Sequence, residues 1–478
     1  MVKVTMDSLA SELRDALGRE RVRTEPTELA LYDRDASLVR AGRAAMVCLP
    51  RTTAEVQACV RAARAHGVPF VARGSGTGLA GGAVPVDGAV VVVTTAMDHI
   101  VEVDVDARVA WVEPGVLNLD LSRAVAGHGL HFAPDPSSQQ ACTVGGNVAN
   151  NSGGPHCLAY GVTSAHVLAI EVVLPDGDVA VLGGLDPEPA GYDLRGAFVG
   201  SEGTLGIATR IAVRLTPNPP AVRTLLADFE SVDDAAACVS AVIAAGLVPA
   251  ALEMLTGGMI AAVEDFVHAG FPVDAAAVLL AEVDGLPGAV ADGEALIARV
   301  AGEHGARTVR VAASDDERAL WWKGRKSAFG AVARIAPNYY LHDTVVPRTK
   351  LVEVLRAVEA AAAAHDLLVL NVFHAGDGNL HPLLVFDARE PGVLDRVHAA
   401  GAEIVAVSLA AGGVLSGEHG IGLEKREHMA QLFDAASLDA QARLREAFDP
   451  DGVANPTKIL PAGSRCGDLQ SIPDGLWV

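Results

Sequence analysis

The stretch ARGSGTGLAGGA, residues 72–83, decides between two classes of nucleotide-binding fold. It follows an apolar run that predicts a strand, and Gly76 to Gly81 fit the pattern GxGxxG. A Rossmann fold needs a helix directly after these glycines, whereas the next residues, AVPVDGAVVVV, predict a turn and a strand. The stretch therefore predicts a loop between strands whose successive N–H groups bind a phosphate, and the alternative is a merely flexible loop.

Two later stretches are rich in small and polar residues and indicate a binding site of the same kind. Residues 134–163, PDPSSQQACTVGGNVANNSGGPHCLAYGVT, predict a long irregular loop that is costly to order without a ligand or tight packing. Residues 200–209, GSEGTLGIAT, again bring small residues to the start of a predicted strand. Hydroxyl, amide and backbone N–H groups at this density predict a lining for a large cofactor with many hydrogen-bonding groups.

The composition predicts a large, acidic, globular protein. Its 478 residues are too many for one ordinary core, so we expect two or three domains. The formal net charge of −22 argues against nucleic acid or an anionic membrane surface as a partner. The cysteines are scattered without a CxxC pair, which argues against a disulfide framework or an iron–sulfur cluster.

No transmembrane segment is expected. Residues 235–252 lack charged side chains, but they are rich in alanine and contain Gly246 and Pro249. They predict a buried helix followed by a strand rather than a membrane span. The N-terminal residues predict an amphipathic helix without the layout of a secretory signal. We therefore expect a cytoplasmic protein, peripheral to the membrane only through a partner.

Strands and helices are mixed along the whole chain, which predicts an α+β protein. The prolines of TPNPPAVRTLLADFE, residues 216–230, predict a domain boundary. We expect three parts: residues 1–220, residues 221–415, and a largely helical segment of residues 416–478 that completes the active site.

The stretch HAGDGNLH, residues 374–381, places two histidines around a glycine turn between apolar runs. If GDGN forms the turn, His374 pairs with His381 and both side chains project from one face, with Cβ atoms roughly 5 Å apart. Two imidazoles at this distance can bind one metal ion. The alternative is a histidine pair held by backbone hydrogen bonds.

The stretch SGEHG supplies two further candidates. Glu418 is a candidate third ligand, because two histidines and one carboxylate leave an open position on zinc or a similar ion. His419 is a candidate base. The alternative is the start of a helix that is capped by Ser416 and has Glu418 in its first turn.

A cation for an anionic substrate is predicted in WWKGRK, residues 321–326. Arg325 is the candidate, because a guanidinium group binds a carboxylate through two parallel hydrogen bonds. The neighbouring Lys323 and Lys326 are expected on a solvated helix face.

The three glycine-rich stretches, in this order, resemble the flavin domain of the vanillyl-alcohol oxidase and p-cresol methylhydroxylase (PCMH) superfamily. The resemblance implies a two-part PCMH-type FAD-binding domain. Some members attach FAD through a histidine where Thr77 stands here, so non-covalent FAD is expected, with Cys142 as a small packing residue. The resemblance implies FAD contacts from Gly74, Ser75, Gly76, Thr77 and Gly78, from Ser138, Cys142, Thr143, Gly145, Gly146 and Asn147, and from Glu202, Gly203 and Ile207.

The stretches WWKGRKSAF, PNYYLHDTVVP, NVFHAGDGNLHP, SGEHGIGLEK and FDPDGVANPTKILP resemble the family of FAD-linked glycolate oxidase subunits and D-lactate dehydrogenases. With the flavin motifs, this resemblance covers nearly the whole chain. It implies a ferredoxin-like α/β substrate (cap) domain followed by a C-terminal helical segment. It also implies oxidation of a (R)-2-hydroxy acid such as D-lactate, or of glycolate, to the 2-oxo acid.

The same resemblance implies a role for each candidate residue. Arg325 binds the substrate carboxylate, His419 removes the hydroxyl proton, and hydride passes to the flavin N5. Asn455 lies near the flavin. The residues implied to hold a divalent metal, expected to be zinc, are His374, His381 and Glu418.

Several points stay open. Members that prefer larger diacids have a further basic residue where this chain reads YYLHD, so glycolate or D-lactate is expected over D-2-hydroxyglutarate. An FAD oxidase or transferase of the same fold acting on a different substrate is an alternative, as is a flavoprotein subunit that only carries electrons. The electron acceptor is open between oxygen, a quinone, a cytochrome and a partner subunit, and a homodimer is also open.

Overall fold

The chain divides into two compact units in a computed structural model that describes residues 2–186 and 190–462. The first unit contains the chain up to Gly153, Val162–Pro217, and the chain from Glu418 onward. The second unit contains Gly154–Gly161 and Asn218–Gly417. The short segment 154–161 is thus grouped with the later part of the chain, and the C-terminal segment is grouped with the N-terminal part.

Helices and strands occur throughout the described residues. The α-helices are α1 (Val2–Leu17), α2 (Pro26–Leu29), α3 (Thr53–Ala65), α4 (Asn118–Val125), α5 (Val144–Asn150), α6 (Cys157–Tyr160), α7 (Leu194–Phe198), α8 (Val232–Ala244), α9 (Gly257–Val267), α10 (Pro287–Glu303), α11 (Asp315–Lys326), α12 (Ala328–Val332), α13 (Leu351–Ala364), α14 (Val393–Ala410), α15 (Met429–Leu432) and α16 (Ala435–Phe448).

The strands are β1 (Val22–Arg23), β2 (Met46–Cys48), β3 (Phe70–Arg73), β4 (Val90–Val93), β5 (Ile100–Asp104), β6 (Val109–Val112), β7 (Leu130–His131), β8 (Val167–Val173), β9 (Val179–Gly183), β10 (Ile207–Arg214), β11 (Thr216–Pro217), β12 (Ala221–Phe229), β13 (Ala251–Thr256), β14 (Ala277–Gly285), β15 (Ala306–Val311), β16 (Asn338–Leu341), β17 (Thr344–Val345), β18 (Leu368–Phe373), β19 (Asn379–Leu380) and β20 (Pro382–Phe386).

The first unit contains two main sheets. The smaller sheet has the order β1-β2-β4-β3, and β4 runs parallel to both of its neighbours. All four valines of β4 are buried, as expected for a parallel strand that is covered on both faces. Residues 74–89, between β3 and β4, form no helix, so the interpretation of a loop rather than a Rossmann turn is confirmed. The larger sheet is antiparallel, with the order β5-β6-β10-β8-β9.

The second unit is built on one seven-stranded antiparallel sheet of order β15-β12-β14-β13-β18-β20-β16. Its first four strands in sequence, β12 to β15, take the positions 4-1-3-2, the ferredoxin-like order that was expected. Alanine-rich helices such as α8 and α13 cover the sheet and share one large core with it. The uncharged residues 235–252 lie in α8, the following turn and the start of β13, as predicted. Among the helices of the described residues, none is long and apolar enough to cross a membrane.

The register of the histidine hairpin differs from the expected one. His374 pairs with Asn379, and Asn371 pairs with Pro382, so His381 is not directly opposite His374. This register centres the turn on Gly376 and Asp377. Within the turn, the carboxylate of Asp377 accepts a hydrogen bond from the Asn379 amide. Since side chains two residues apart on a strand share a face, His374 and His381 are diagonal neighbours on one face.

The chain after residue 415 does not begin with a helix. Residues 416–425 form turns and irregular structure, and the helical part starts later, at α15 and α16. The interpretation of Ser416 as a helix cap is therefore wrong. Its hydroxyl donates instead to the carboxylate of Asp343, at 2.6 Å, a partner that local sequence does not reveal.

The segment 154–161 is held in the second unit by two carboxylates of β14. Glu282 contacts His156 at 3.3 Å, and Asp284 accepts a hydrogen bond from the hydroxyl of Tyr160. Glu282 is 2% exposed and also accepts hydrogen bonds from Thr224, Arg318 and Trp322. Burial alone would raise the pKa of Glu282, but the hydrogen bonds from His156 and Arg318 outweigh it and hold the pKa well below its usual value.

Replacing Gly378 by alanine should destabilise the second unit more than replacing Gly392. Both glycines have positive φ angles, 81° and 76°, which cost an L-residue roughly 1–2 kcal/mol. A Cβ on Gly378 would lie 2.1 Å from the Val346 carbonyl oxygen, whereas no described atom lies within 4 Å of a Cβ on Gly392. Gly378→Ala should therefore cost roughly 3 kcal/mol or more. Thermal unfolding of the two variants measures the difference, and equal midpoints would contradict the steric argument.

Replacing Glu282 by glutamine should reduce the loss of stability in acid. The folded-state pKa of Glu282 is depressed, so its contribution is present above the unfolded-state value of 4.5 and is lost as the pH falls below it. We expect Glu282→Gln to be about 2–3 kcal/mol less stable than wild type near pH 7, with a smaller difference near pH 3. Unfolding midpoints across this range provide the measurement, and an unchanged difference would contradict the assigned pKa.

Candidate active site

In the first unit, the glycine-rich loop after β3 packs against the start of α5. A Cβ on Gly74 would lie 2.5 Å from the hydroxyl oxygen of Thr143. Thr143 caps α5 by accepting a hydrogen bond from the Gly146 amide at 3.2 Å. Two of the three predicted flavin stretches therefore meet, and the contact leaves no room for a side chain at Gly74.

Asn455 joins the third stretch to the loop. Its amide nitrogen donates to the carbonyl oxygens of Gly82, at 2.8 Å, and of Glu202, at 2.6 Å. A Cβ on Gly203 would lie 3.1 Å from Cβ of Ala72, the residue before the end of β3. The described first unit thus brings Gly74–Gly82, Thr143–Asn147, Glu202–Gly203 and Asn455 into one cluster, which we call the flavin-side cluster.

Other predicted flavin residues have more ordinary surroundings. The Ile207 side chain is 2% exposed and belongs to the core that packs against the smaller sheet. Cys142 is 3% exposed, and its sulfur lies 3.5 Å from the side-chain nitrogen of Asn147. Burial raises the pKa of the Cys142 thiol, consistent with the packing role expected for it.

The flavin-side cluster fits a ligand with many hydrogen-bonding groups. Two of its buried polar atoms and one on the adjacent Ser201 have no hydrogen-bond partner among the described residues: Oε2 of Glu202, Oδ1 of Asn455 and Oγ of Ser201. Buried polar atoms are normally paired, so their lack of protein partners favours a ligand that supplies them. FAD, with its many polar groups, matches both this need and the close approach that the glycines allow.

Buried charged groups surround the cluster, and sequence reasoning missed two of them. Lys458 donates a hydrogen bond to the Val84 carbonyl oxygen at 2.7 Å, and burial lowers its pKa to about 7. Arg73, which directly precedes the glycine-rich loop, is also buried, and burial lowers its pKa. Burial raises the pKa of Glu202 to about 7, although its Oε1 accepts a hydrogen bond from the Ile421 amide at 2.7 Å. A basic residue next to a glycine-rich loop was the available signal for Arg73.

In the second unit, the two predicted histidines lie together. Their ring centroids are 5.1 Å apart and the rings are nearly perpendicular. His374 is 5% exposed and His381 is 1% exposed. A tight turn therefore places two imidazoles in one buried location, as the metal interpretation requires.

Glu253, on β13, connects this pair to the predicted substrate cation. One carboxylate oxygen lies 2.7 Å from Nδ1 of His374, and the other lies 2.5 Å from Nη2 of Arg325. The carboxylate is fully buried. Burial alone would raise the pKa of Glu253, but the adjacent charges of Arg325 and His374 outweigh it and lower the pKa. Sequence reasoning missed Glu253; an acidic residue inside the apolar strand ALEMLT was the signal.

Arg325 is held by its pairing with Glu253 while most of its donors remain unused. The residue is 1% exposed, and its Nε and Nη1 have no hydrogen-bond partner among the described residues. Its neighbour Lys323 is exposed and Lys326 is half-buried. Of the three basic residues in WWKGRK, Arg325 is therefore the one directed into the protein interior.

Asp343 fixes the chain directly before the two remaining candidates. Its carboxylate accepts hydrogen bonds from the Ser416 hydroxyl and, at 3.1 Å, from the Gly417 amide. A Cβ on Gly417 would lie 2.5 Å from the side-chain nitrogen of Asn379, so only glycine fits there. Glu418 is the next residue in the chain. Sequence reasoning also missed Asp343, whose partners are more than seventy residues away.

Glu418 and His419 open the C-terminal part of the first unit. Their side chains lie 3.5 Å apart, between Oε1 of Glu418 and Nε2 of His419. The backbone of His419 is fixed by the Asn150 side chain, which donates to its carbonyl oxygen at 2.7 Å. Both side chains are largely buried, so an acid–base pair is held in a defined position.

Two family models match consecutive parts of the chain, and the second of them extends beyond Gly417, the last residue of the second unit. Residues 44–183 match the family model described as an FAD binding domain, and residues 218–459 match the C-terminal domain of FAD linked oxidases. The chain is 44% identical to the glycolate oxidase subunit GlcD of Escherichia coli strain K12 over 98% of its own length and 93% of that protein. It is 34% identical to a D-lactate dehydrogenase of Anaerostipes hadrus over 85% of its own length and 88% of that protein.

The fold also matches a crystal structure of p-cresol methylhydroxylase with substrate bound. The TM-score is 0.82, with 17% sequence identity and coverage of 95% of this chain and 96% of that one. The expected two-part PCMH-type architecture is therefore confirmed. With half of its length matching the C-terminal family model and the N-terminal part matching an FAD binding domain, the chain belongs to the FAD-linked oxidases.

Proposed function

We propose that this protein oxidises glycolate or D-lactate to the corresponding 2-oxo acid. The observation that supports this best is the buried guanidinium of Arg325, which retains donors without partners among the described residues and lies next to a histidine pair. Buried unpaired donors are costly, and a substrate carboxylate would supply the missing acceptor. The sequence similarity to a glycolate oxidase subunit and to a D-lactate dehydrogenase supports the same class of substrate.

The flavin-side cluster would hold FAD, and the second unit would hold the substrate. When bound, FAD supplies the hydride acceptor. The small residues after β3 would let the cofactor approach the backbone, and Asn455 would keep the loops together around it. Because Thr77 stands where some relatives of this fold have an attached histidine, the FAD would be non-covalent.

His374, His381 and Glu418 would hold a divalent metal, in our proposal zinc. Two imidazole nitrogens and one carboxylate are donors suited to a catalytic zinc site with an open position. When bound, the metal supplies a Lewis acid for the substrate hydroxyl. The tight hairpin places two imidazoles side by side on one face of the sheet. Asp343 fixes the backbone of Gly417, directly before Glu418.

Arg325 and His419 would complete the chemistry. Arg325 would bind the substrate carboxylate and so orient the C2 hydrogen, while His419 would accept the hydroxyl proton. The fixed backbone of His419 would keep this base in position.

The surroundings of His381 favour a small substrate. Phe329 lies against its ring, with centroids 6.4 Å apart, and Tyr339 stacks on Phe329. The apolar ring of Phe329 does not pair with a second carboxylate, so we favour glycolate or D-lactate over D-2-hydroxyglutarate. Electrons would then leave through a partner subunit, a quinone or a cytochrome, since one relative is itself named a subunit.

If the FAD is non-covalent, denaturation should release all of it. In the folded protein, replacing Asn455 by aspartate should weaken the binding of FAD. An aspartate at this position would direct a carboxylate at the carbonyl oxygens of Gly82 and Glu202, which now accept hydrogen bonds. We expect FAD affinity to fall by about tenfold, the loss of roughly one such bond. Flavin absorbance after gel filtration provides the measurement, and flavin that stays with the acid-precipitated chain would contradict a non-covalent site.

Glycolate or D-lactate should bleach the flavin absorbance near ~450 nm under anaerobic conditions, and a chelator should prevent this. L-lactate and D-2-hydroxyglutarate serve as comparison substrates in the same assay. A yellow protein that no hydroxy acid bleaches would contradict the substrate assignment and favour a different substrate for the same fold.

Replacing His381 by alanine should slow this bleaching by about a hundredfold or more while FAD stays bound, because one imidazole of the pair is lost. His398→Ala, at an exposed histidine of the same unit, is the matched control and should behave as wild type. Bleaching of the His381 variant at the wild-type rate would show that the histidine pair does not hold a functional metal.

A further inference from the structure

We propose that Glu253 is a positioning residue that sets both the substrate-binding arginine and one metal-binding histidine with a single carboxylate. The proposal rests on the function proposed above. It assigns a role to a buried side chain that neither binds the substrate nor ligates the metal.

Three separate elements converge on this carboxylate. Glu253 lies on β13, Arg325 lies near the end of α11, and His374 directly follows β18. The pairing of β13 with β18 joins Met254 to Phe373, which brings the preceding Glu253 beside the following His374. Since the sheet register fixes this neighbourhood, the carboxylate position is determined by backbone pairing rather than by side-chain flexibility.

The contact with His374 selects one ring nitrogen for the metal. The carboxylate oxygen 2.7 Å from Nδ1 favours a proton on Nδ1 over acceptance from Nη2 of Arg325, which lies farther from Nδ1, at 3.4 Å. The lone pair of the neutral ring then resides on Nε2, the atom left to coordinate a metal. Such outer partners of ligating histidines orient the ring and increase its basicity.

The contact with Arg325 selects the orientation of the guanidinium. The second oxygen lies 2.5 Å from Nη2, and Arg325 and Glu253 are both almost completely buried. With Nη2 held there, Nε and Nη1 are the donors that find no partner in the described part of the chain. The pair is formally neutral, so Arg325 offers a substrate directed hydrogen bonds with little net charge.

Glutamine cannot replace this carboxylate at both contacts. Its side chain has one acceptor and one donor, while both neighbouring atoms, Nδ1–H of His374 and Nη2 of Arg325, need an acceptor. Glu253→Gln must therefore turn its donor toward either the arginine or the histidine. Turned toward the histidine, it would favour the tautomer with a proton on Nε2, and a protonated Nε2 cannot coordinate the metal.

The test compares Glu253→Gln with wild type as purified holoenzyme. Zinc retention is measured by elemental analysis after dialysis against increasing chelator, and KM and kcat are measured with glycolate or D-lactate. We expect Glu253→Gln to lose zinc at about 10–100-fold lower chelator concentration and to raise KM by about tenfold, with FAD content unchanged. Zinc retention and KM both at wild-type values would overturn the proposal.

Glu282→Gln is the matched control. Glu282 lies on the neighbouring strand β14, is 2% exposed and accepts several side-chain hydrogen bonds. The Glu282→Gln variant should have a lower thermal midpoint than the wild type but unchanged zinc retention and KM. Equal zinc loss in both variants would assign the effect to general destabilisation and overturn the proposal.

Two further measurements apply if Glu253→Gln fails to fold. Glu253→Asp keeps the charge and both acceptors on a shorter side chain and should retain zinc at chelator concentrations close to those of the wild type. In the wild type, nitrogen-15 NMR of zinc-loaded protein should show His374 protonated on Nδ1, its signals assigned by their loss in His374→Gln. Metal bound to Nδ1 would overturn the proposal.

The wild-type measurements separate the two proposals. A wild type that holds no zinc and whose flavin no hydroxy acid reduces overturns the proposed function, together with the metal role of Glu253. If the wild type holds zinc and a hydroxy acid reduces its flavin, while Glu253→Gln has unchanged zinc retention and KM, only the role of Glu253 is overturned.

Discussion

The side-chain amide of Asn455 makes the two hydrogen bonds on which the first unit most depends. It joins two loop carbonyls, of Gly82 and Glu202, that come from distant parts of the chain. Neither loop belongs to a sheet or helix ladder, so the Asn455 bonds add to isolated backbone bonds such as those from Leu423 to Ala80 and from Glu202 to Ala149. The backbone around Asn455 is itself strained: Asn455, Thr457 and Ile459 all have positive φ angles. Such conformations persist only where surrounding contacts enforce them, and ligand sites are where they concentrate.

Arg445 and Arg426 provide that enforcement. Arg445 donates to the carbonyl oxygens of Ala454 and Lys458, and Arg426 donates to that of Thr457. Two buried guanidinium groups thus replace the regular hydrogen bonds that this segment cannot make. In the second unit, the buried group is negatively charged: the carboxylate of Glu253 contacts the guanidinium of Arg325 and the imidazole of His374 and orients both. Both units therefore use buried charges to fix irregular backbone or active groups.

Sequence reasoning succeeded where the determinants are local and failed where they are remote. The loop after β3 was predictable because no helical pattern follows its glycines, and the facing histidines were predictable because they flank a glycine turn. The register of that hairpin was not predicted, and it differs by one residue at the turn, where the Asp377 carboxylate accepts a hydrogen bond from the Asn379 amide. The alternative of Ser416 as a helix cap was wrong because its hydroxyl bonds to Asp343, which is distant in sequence. The role of Glu253 depends on strand pairing across the second unit, which residue patterns do not specify.

The grouping of residues from Glu418 onward with the N-terminal part has a consequence for how the protein is made. Strand β3 pairs with β4 on one edge and receives the contacts of its other edge from this late segment, since the Phe70 amide donates to Val453 and its carbonyl accepts from Asn455. During synthesis from the N-terminus, these partners reach β3 only after the whole second unit has been translated. Apart from segment 154–161, the second unit is contiguous and can form its sheet first. The contacts of the cofactor site that come from residues 453–455 are therefore made last, and the first unit stays incomplete until these residues have been synthesised.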